Sequence, residues 1–551
     1  MTTLVVAVGA ALAAVLALGI ADVVARRAAR LAEPAWGTPI ERERDEVGLR
    51  KAFRWWSRGE EGVVGDRTWR DLALDVVFAR IDRCLTSVGQ VMLYRRLRMP
   101  AEDPVALETF ERSVRAFEED ASTRLEFARA VLPLRTNALG LAALFYGEEP
   151  ELPRGARLYP LATVATVGCA LAAIIWPVMA LACFGCLAVN IAVRLGLHRT
   201  MTLHTSTSAA LAELVAAGRN VALLGDRTLG PEISAIKEAL RAIEPYAMAL
   251  RWNTIDPSRM NEILAVIVAY VNMTLLLDVH AFVRTIMLVR RARSALASLF
   301  ERLGELDAAR SVASFRAGTK RWCRPTFVPA GEPVRAEDLC HPLVEDAVEN
   351  DFELFGLRPG PVARGLLVTG SNMSGKSTFL RAVATNAILA LSLGCATARS
   401  YCAPFLRIRT LIHVEDDLAK KQSHFLVEAR AARDLLVETS EVDRLVVVDE
   451  LFRGTNTIDR VAAGAAFLRA LGRGGAFVIA ATHDAELIDL LKEDYRPHYF
   501  TESVADGALT FDYRLRAGAN APRNAFAVLA LVGFPADVLE DARLTRMPSY
   551  K

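Results

Sequence analysis

The sequence is poor in cysteine, with eight residues scattered among 551. That density is far below that of small secreted domains held by disulfides, so a reduced chain is expected. Cys183 and Cys186 form a C-x-x-C pair, but an uncharged apolar run surrounds them, which favours packing over metal or redox chemistry. A net charge is also nearly absent, since 66 basic residues face 64 acidic ones. The composition therefore shows no global basic field of the kind that binds nucleic acid.

Hydrophobic residues, by contrast, are abundant. They make up 52% of the chain, which excludes disorder for most of it. The mean hydropathy of +0.24 is high for a soluble enzyme, although the charged fraction of 24% is ordinary. Averages of this kind indicate a soluble protein that carries a few membrane spans.

The first long apolar run covers residues 3–21 and contains no charge. No basic segment precedes it, which argues against a cleaved secretory signal. Arg26, Arg27 and Arg30 follow it, and basic residues after a span indicate that the N-terminus lies outside. The run is therefore interpreted as an anchor, with a buried Ala-rich soluble helix as the alternative.

A second run extends from Leu158 to Val193 without a charge, between arginines at both ends. One helix of that length would measure about 54 Å, nearly twice the ~30 Å hydrocarbon core. Two spans of about 18 residues fit instead, with a turn near Trp176 and Pro177, because proline ends a helix. The basic flanks predict a hairpin with both ends in the cytoplasm.

A third run, Ile263 to Leu277, is too short for a span and is predicted to be a buried helix. We therefore expect three spans in the bilayer of the inner (cell) membrane, with residues 22–157 and 194–551 in the cytoplasm.

In the remaining sequence, the pattern of apolar residues changes near residue 340. Residues 40–67 are charge-dense, and 68–340 show the apolar spacing of amphipathic helices outside the hairpin. From 340 onward, short β-branched runs at 365–370, 445–450 and 476–484 are each followed by a loop and a helix. Such alternation indicates a mainly parallel sheet with covered faces.

The segment GSNMSGKST fits the pattern G-x-x-x-x-G-K-[ST] between a predicted strand and a predicted helix. Backbone N–H groups of such a loop face phosphates, the lysine reaches the β and γ phosphates, and the serine hydroxyl suits Mg²⁺. The sequence thus predicts binding of ATP and Mg²⁺. The predicted binding residues are Gly370, Ser371, Asn372, Met373, Ser374, Gly375, Lys376, Ser377 and Thr378.

Two acids end the next apolar strand, LVVVDE, where ligands bind in open α/β sheets. Asp449 is predicted to hold Mg²⁺ together with Ser377, and Glu450 to polarise the attacking water. His483 follows a further strand, where an imidazole could contact the γ-phosphate or serve structure alone.

The motifs GSNMSGKSTFLR, VVVDELFRGTNTIDR and ATHDAEL resemble, in that order and spacing, the ATPase domain of the MutS mismatch-repair family. CHPLVEDAVENDFEL at 340–354 and RNAFAVLALVGFP at 523–535 are similar to its flanking segments. The resemblance is strong over about 340–545 and weaker at 85–100. It implies an ABC-type ATPase and supports a catalytic role for His483.

The resemblance also implies a homodimer through the ATPase domains, with each nucleotide between one P-loop and the partner's signature helix. DDLAKKQSHFLVEARAARDLL at 416–436 is similar to that signature region, and Ser423 would reach the partner's nucleotide. Lys421 stands where the family usually has Gly, which is a departure. The family's mismatch-reading domain has no counterpart here, and the apolar hairpin lies where the family carries its DNA clamp.

Taken together, the sequence predicts an α/β P-loop (ABC-type) ATPase domain preceded by an all-α, MutS-core-like helical domain that carries transmembrane helices. The expected divisions are an anchor at 1–25, a charged linker at 26–67, the helical domain at 68–339 with the hairpin at 158–195, and the ATPase domain at 340–551. Two functions stay open: a membrane-anchored ATPase that binds DNA in repair, and a mechanochemical ATPase acting on a membrane or protein partner.

Overall fold

The computed structural model describes residues 36–59, 63–134, 138–224, 226–246, 270–355, 365–371, 374–412, 424–438, 442–505, 508–519, 529 and 533–544. The predicted anchor at 3–21 lies outside these residues. The chain divides into two compact units. Unit 1 takes 1–60, 81–95 and 112–318, and unit 2 takes 61–80, 96–111 and 319–551.

The described part of the chain is rich in helix. In chain order its helices are α1 (Glu46–Trp56), α2 (Asp66–Asp71), α3 (Leu74–Ile81), α4 (Ser87–Arg98), α5 (Pro104–Glu119), α6 (Ala121–Ala130), α7 (Ala138–Tyr146), α8 (Tyr159–Ile175), α9 (Met179–Ala222), α10 (Asp226–Ile243), α11 (Leu277–Ala317), α12 (Lys376–Leu393), α13 (His424–Val437), α14 (Thr457–Arg473), α15 (Glu486–Leu491) and α16 (Ala536–Leu544).

Unit 1 is helical in its described residues and is organised around α11. This helix has 41 residues, changes direction at Ala292 and is buried along most of its second half. The fully buried Asp307 accepts hydrogen bonds from the backbone N–H of Leu85 at 2.9 Å and of Thr86 at 2.8 Å. A buried carboxylate satisfied in this way fixes the neighbouring chain against the helix.

Part of the expected charged linker is folded onto unit 1. Its residues 46–56 form α1, in which Phe53 is buried. Just before this helix, Arg42 and Arg44 form ion pairs with the buried Asp82 at 2.5 Å and 2.9 Å. The charge density that predicts a solvated linker therefore includes arginines that neutralise a buried acid.

The second apolar run forms a helical hairpin, and the predicted break at Trp176 and Pro177 is confirmed. Helix α8 ends at Ile175, and α9 begins at Met179. Among the described residues one helical stretch, Met179–Leu197, has the length and apolar composition of a membrane span, and 6% of it is buried. Helix α8 is apolar but shorter. Side chains such as Ile174 and Trp176 are 80% and 61% exposed, so the hairpin is not a core element of unit 1.

Helix α9 continues well beyond the apolar hairpin. It has 44 residues without an interior proline, or about 66 Å at the usual rise. Its C-terminal part buries Leu211, Leu214 and Val221 in unit 1. The hairpin boundary expected near 195 is thus a boundary of composition, and the helix itself runs on to Ala222.

The third apolar run is described only from residue 270, since 263–269 lie outside the described residues. Residues 270–275 are helical, with Tyr270 exposed, and Leu276 then interrupts the helix with a left-handed backbone, φ 52°. The buried Asn190 of α9 donates hydrogen bonds to the Thr166 hydroxyl at 3.0 Å and to the Thr274 carbonyl at 2.8 Å. This segment therefore packs along both helices of the hairpin.

Unit 2 contains the described strands. They are β1 (Thr326–Phe327), β2 (Val334–Leu339), β3 (Asn350–Leu354), β4 (Gly365–Thr369), β5 (Ser400–Ala403), β6 (Leu406–Leu411), β7 (Asp443–Asp449), β8 (Phe477–Ala481), β9 (Tyr495–Tyr499), β10 (Glu502–Ala505), β11 (Ala508–Phe511) and β12 (Arg516–Ala517). They form mixed sheets: a six-stranded sheet, a four-stranded sheet and a two-stranded ribbon.

The six-stranded sheet has the order β12-β9-β4-β8-β7-β6. Five strands are parallel, and the edge strand β12 pairs antiparallel with β9. Strands β4 and β8 are buried over their whole length, as expected for a sheet covered on both faces. Because β4, β7 and β8 are parallel neighbours, the loops that follow them meet at one edge of the sheet.

Candidate nucleotide-binding site

The loop between β4 and α12 depends on two glycines. Gly370 and Gly375 have φ of 144° and 106°, a region that other residues rarely adopt. A Cβ on Gly370 would lie 2.8 Å from the Ser374 hydroxyl and 2.9 Å from the Phe500 carbonyl oxygen. The chain can therefore make this turn only with glycine, and α12 starts directly behind it.

Lys376, the first residue of α12, is 4% exposed. Its ammonium group donates hydrogen bonds to the carbonyl oxygens of Gly370 at 2.6 Å and Ser371 at 2.8 Å. Burial lowers the pKa of Lys376, while Asp449 and Glu502 oppose that shift. Ser371 in turn donates a hydrogen bond to the Glu502 carboxylate. The loop thus holds a buried ammonium group through its own carbonyls.

The hydroxyl of Ser377 donates a hydrogen bond of 2.5 Å to Oδ2 of Asp449, at the end of β7. The other carboxylate oxygen, Oδ1, is buried and has no hydrogen-bond partner among the described residues. A hydroxyl and a carboxylate side by side, with an unsatisfied buried oxygen, are donors that Mg²⁺ prefers. These two residues therefore fit a magnesium ion.

Glu450 follows Asp449 in a strained backbone conformation, with φ 49°. Its N–H donates to the Ala481 carbonyl of β8 at 3.0 Å, and the residue is 8% exposed. Its carboxylate forms an ion pair with Arg453 and lies 3.6 Å from Nδ1 of His483. The ends of β7 and β8 thus place a carboxylate, a guanidinium and an imidazole together.

His483 is held more loosely than its neighbours. Its side chain is half exposed, and Nε2 lies 3.9 Å from Asp484. Asp484 itself is fixed by an ion pair with Arg460 of α14 at 2.7 Å. The loop after β8 is therefore anchored at Asp484, while the imidazole beside it remains accessible.

These groups border a cavity of about 540 Å³ in unit 2, within the usual size of a small-ligand site. Its lining includes Lys376, Ser377, Glu450 and Arg453, together with His341, Val344, Asp346, Ala347 and Val348. Burial, with a contribution from Arg381, lowers the pKa of His341 to about 4. Near neutral pH the lining therefore combines an uncharged imidazole with charged side chains of both signs.

Residues 366–547 match the family model of MutS domain V. This match covers about a third of the chain and contains the glycine loop, both acids and His483. The structure contains helices and mixed sheets, and the matched residues lie within the predicted ATPase region. Both observations agree with the predicted fold class at a coarse level. The family resemblance seen in the motifs is supported by the same match.

Within the domain V region, the structure brings most of the predicted residues together. Those described are Gly370, Ser371, Ser374, Gly375, Lys376, Ser377, Thr378, Asp449, Glu450 and His483. Asn372, Met373, Lys421 and Ser423 lie outside the described residues, so their predicted contacts stay predictions.

Three neighbours of the domain V site were missed by sequence reasoning. Arg453 lies three residues after Glu450, inside a quoted motif, so proximity could have identified it. The carboxylate of Glu502 accepts a hydrogen bond from Ser371, which lies 131 residues earlier in the chain, and no local sequence pattern indicates that contact. Tyr513 borders the cavity near Gly375 and carries no motif either.

Proposed function

We propose that this chain is a membrane-anchored, MutS-like protein that binds and hydrolyses ATP. The observation that carries the proposal is the contact between Ser377 and Asp449 beside the buried Lys376, at one end of a cavity of ligand size. The match to MutS domain V supports the same activity. ATP is then the substrate and Mg²⁺ the cofactor.

Each residue has a defined part in this proposal. Lys376 would exchange its two carbonyl acceptors for oxygens of the β and γ phosphates, and the loop N–H groups would orient them. Ser377 and Asp449 would hold Mg²⁺, which when bound neutralises phosphate charge. Glu450 would leave Arg453 to accept a proton from the attacking water, and His483 would donate a hydrogen bond to the γ-phosphate.

The membrane part of the proposal rests on the apolar helices. The exposed apolar side chains of α8 and of the first part of α9 would be poorly solvated in water, and a bilayer would cover them. With the N-terminal run, we propose three spans in the inner membrane and place unit 2 in the cytoplasm. Dimerisation through the ATPase domains, with Ser423 reaching the partner's nucleotide, belongs to the same proposal.

On the strength of the family resemblance, we propose that the ATPase acts on DNA. The exposed apolar hairpin favours a second function, in which the ATPase acts on a membrane or on a membrane protein. Binding to duplex, nicked and branched DNA at increasing salt separates these two, because phosphate contacts produce a steep salt dependence. DNA binding without such a dependence, or none at all, favours the second function.

The ATPase itself is tested with two substitutions. Lys376→Ala should weaken ATP binding by roughly 1.5–3 kcal/mol, because a charge-assisted phosphate contact is lost. Glu450→Gln should keep binding but slow turnover by about 10²–10⁴-fold, the usual contribution of a positioned base.

The measurements are nucleotide affinity and steady-state hydrolysis by the full chain in detergent. The exposed Lys492→Ala and Glu493→Gln serve as matched controls and should behave like the original protein. Normal hydrolysis by Glu450→Gln would remove Glu450 from the mechanism, and unchanged affinity in Lys376→Ala would contradict the phosphate site.

A further inference from the structure

A second large cavity lies in unit 1, at the base of the helical hairpin. Its volume is about 960 Å³. One wall is the segment before α8 and its first turns, from Leu152 to Val164, and the other is the first part of α11. On α11 the lining residues include 277, 280, 284, 287 and 291, which share one helix face by their spacing.

The cavity carries a surplus of positive charge. Arg157, Arg284, Arg290 and Arg291 border it, and no Asp or Glu occurs among the described residues that line it. Among the described residues, no acidic side chain forms an ion pair with Arg157 or Arg284.

Two acids in this region already form ion pairs. Asp278 forms an ion pair with Arg194 at 2.8 Å, and Glu149 forms one with Arg290 at 2.8 Å. The pair with Glu149 neutralises Arg290, whereas Arg157, Arg284 and Arg291 have no acidic partner among the described residues. An anion entering the cavity would therefore meet uncompensated guanidinium groups.

The lining changes character along α11. Toward the hairpin it is apolar or uncharged, with Leu277 and Val164 in the lining and His280 at 2.9 Å from the Thr163 hydroxyl. About 20 Å farther along the helix, at 14 residues from Leu277, it ends in Arg291. Above the cavity, α8 continues with exposed apolar side chains such as Leu161 and Leu171.

We propose that this cavity binds an anionic phospholipid, with the phosphate on the arginines and the acyl chains along the apolar hairpin. The proposal rests on the membrane placement proposed above. Basic pockets at the cytoplasmic end of spans are the usual sites for such headgroups. Free phosphate would use the arginines alone, and a DNA backbone would gain nothing from the apolar end, so a lipid accounts for both ends of the cavity.

The test compares phosphatidylglycerol with phosphatidylcholine of identical acyl chains, each carrying a fluorescent label, on the full chain in neutral detergent. The variant is Arg157→Gln/Arg284→Gln, which removes two charges and keeps hydrogen-bonding groups. The control is Arg219→Gln/Arg241→Gln, two exposed arginines of unit 1 that lie outside the cavity.

The original chain should prefer phosphatidylglycerol, and the cavity variant should lose roughly 10- to 30-fold in its affinity for that lipid. Binding of phosphatidylcholine should change little, and the control variant should match the original chain. Competition by excess inorganic phosphate as strong as that of unlabelled phosphatidylglycerol would overturn the lipid assignment in favour of a free anion. Competition by duplex DNA alone would overturn it in favour of nucleic acid, and no preference between the two lipids would overturn it outright.

A separate measurement distinguishes this failure from failure of the membrane proposal. All three chains should remain in the membrane fraction after alkaline extraction, because the apolar helices are unchanged. A chain found in the soluble fraction contradicts the membrane placement itself. A membrane-bound chain without lipid preference contradicts only the cavity assignment.

Discussion

His341 shows how burial sets the chemistry of a single residue in the nucleotide cavity. Its Nδ1 accepts a hydrogen bond from the Leu343 N–H at 3.2 Å, a role that only the neutral ring can fill. Burial and Arg381 lower its pKa to about 4. The His341 ring therefore stays uncharged across the physiological pH range.

This residue predicts an acid sensitivity. The unfolded chain binds a proton at His341 near pH 6.5, whereas the folded chain does so only near pH 4. His341 should thus leave stability unaffected above about pH 6.5 and lower it by up to roughly 3 kcal/mol as the pH falls to about 4.

The measurement is the thermal midpoint of the full chain in detergent between pH 7.5 and 4.5. His341→Asn, whose side-chain oxygen can still accept the Leu343 hydrogen bond, should lose less stability on acidification than the original chain. Equal losses in both chains would contradict the assignment.

At the residue scale, the sequence predicts the residues that a motif specifies. It misses the contacts that form only when distant segments fold together. Gly370, Lys376 and Asp449 could be located because their chemistry demands a particular residue at a particular spacing. The contact of Glu502 with Ser371 could not, because it depends on where β10 lies after the sheet has formed. Arg453 is an intermediate case, since it is visible in the motif while its ion pair with Glu450 is not.

At the scale of secondary-structure elements, the hairpin of α8 and α9 allows a direct test of the proposed membrane topology. The proposed topology, based on the basic flanks, has both ends of the hairpin in the cytoplasm and Trp176 outside, so a cysteine at 176 should be exposed to the exterior. In a chain with its native cysteines replaced, Trp176→Cys should react with an impermeant maleimide in intact cells.

Arg219→Cys, at the far end of α9, is the internal reference and should react only after permeabilisation. Asp278→Cys should likewise be protected. Labelling at 278 from outside, or protection at 176, would contradict the proposed topology.

The elements that sequence predicts well are those with one clear pattern, such as a continuous apolar run. The β-branched runs at 365–370, 445–450 and 476–484 correspond to β4, β7 and β8, because buried parallel strands need apolar residues on both faces. The short antiparallel strand β12 has only two residues and no such signal. Helix α1 is obscured by the charges around it, although Phe53 is buried.

For the whole molecule, the proposed dimer predicts complementation. If Ser423 of one chain serves Lys376 of another, a Ser423→Ala chain mixed with a Lys376→Ala chain forms heterodimers with one intact composite site. Such mixtures should recover hydrolysis that neither variant shows alone, and membrane tethering should favour the pairing.

The measurement is the ATPase rate against mixing ratio in nanodiscs, with subunit exchange followed by an independent label. Lys421 in place of the usual Gly is expected to keep the basal rate low. A rate that stays at the level of the separate variants, despite exchange, would argue against shared sites.

The unbroken length of α9 has a mechanical consequence. One half of this helix is an apolar arm, and the other half is clamped in unit 1 by Leu211, Leu214 and Val221. From Met179 to Leu211 the arm is about 48 Å long at the usual rise per residue, so a tilt of about 5° at the clamp moves its far end by about 4 Å. Small rearrangements around Leu211, Leu214 and Val221 would thus be amplified at the hairpin tip. With the membrane placement proposed above, helix α9 would transmit displacement between its buried half and the bilayer.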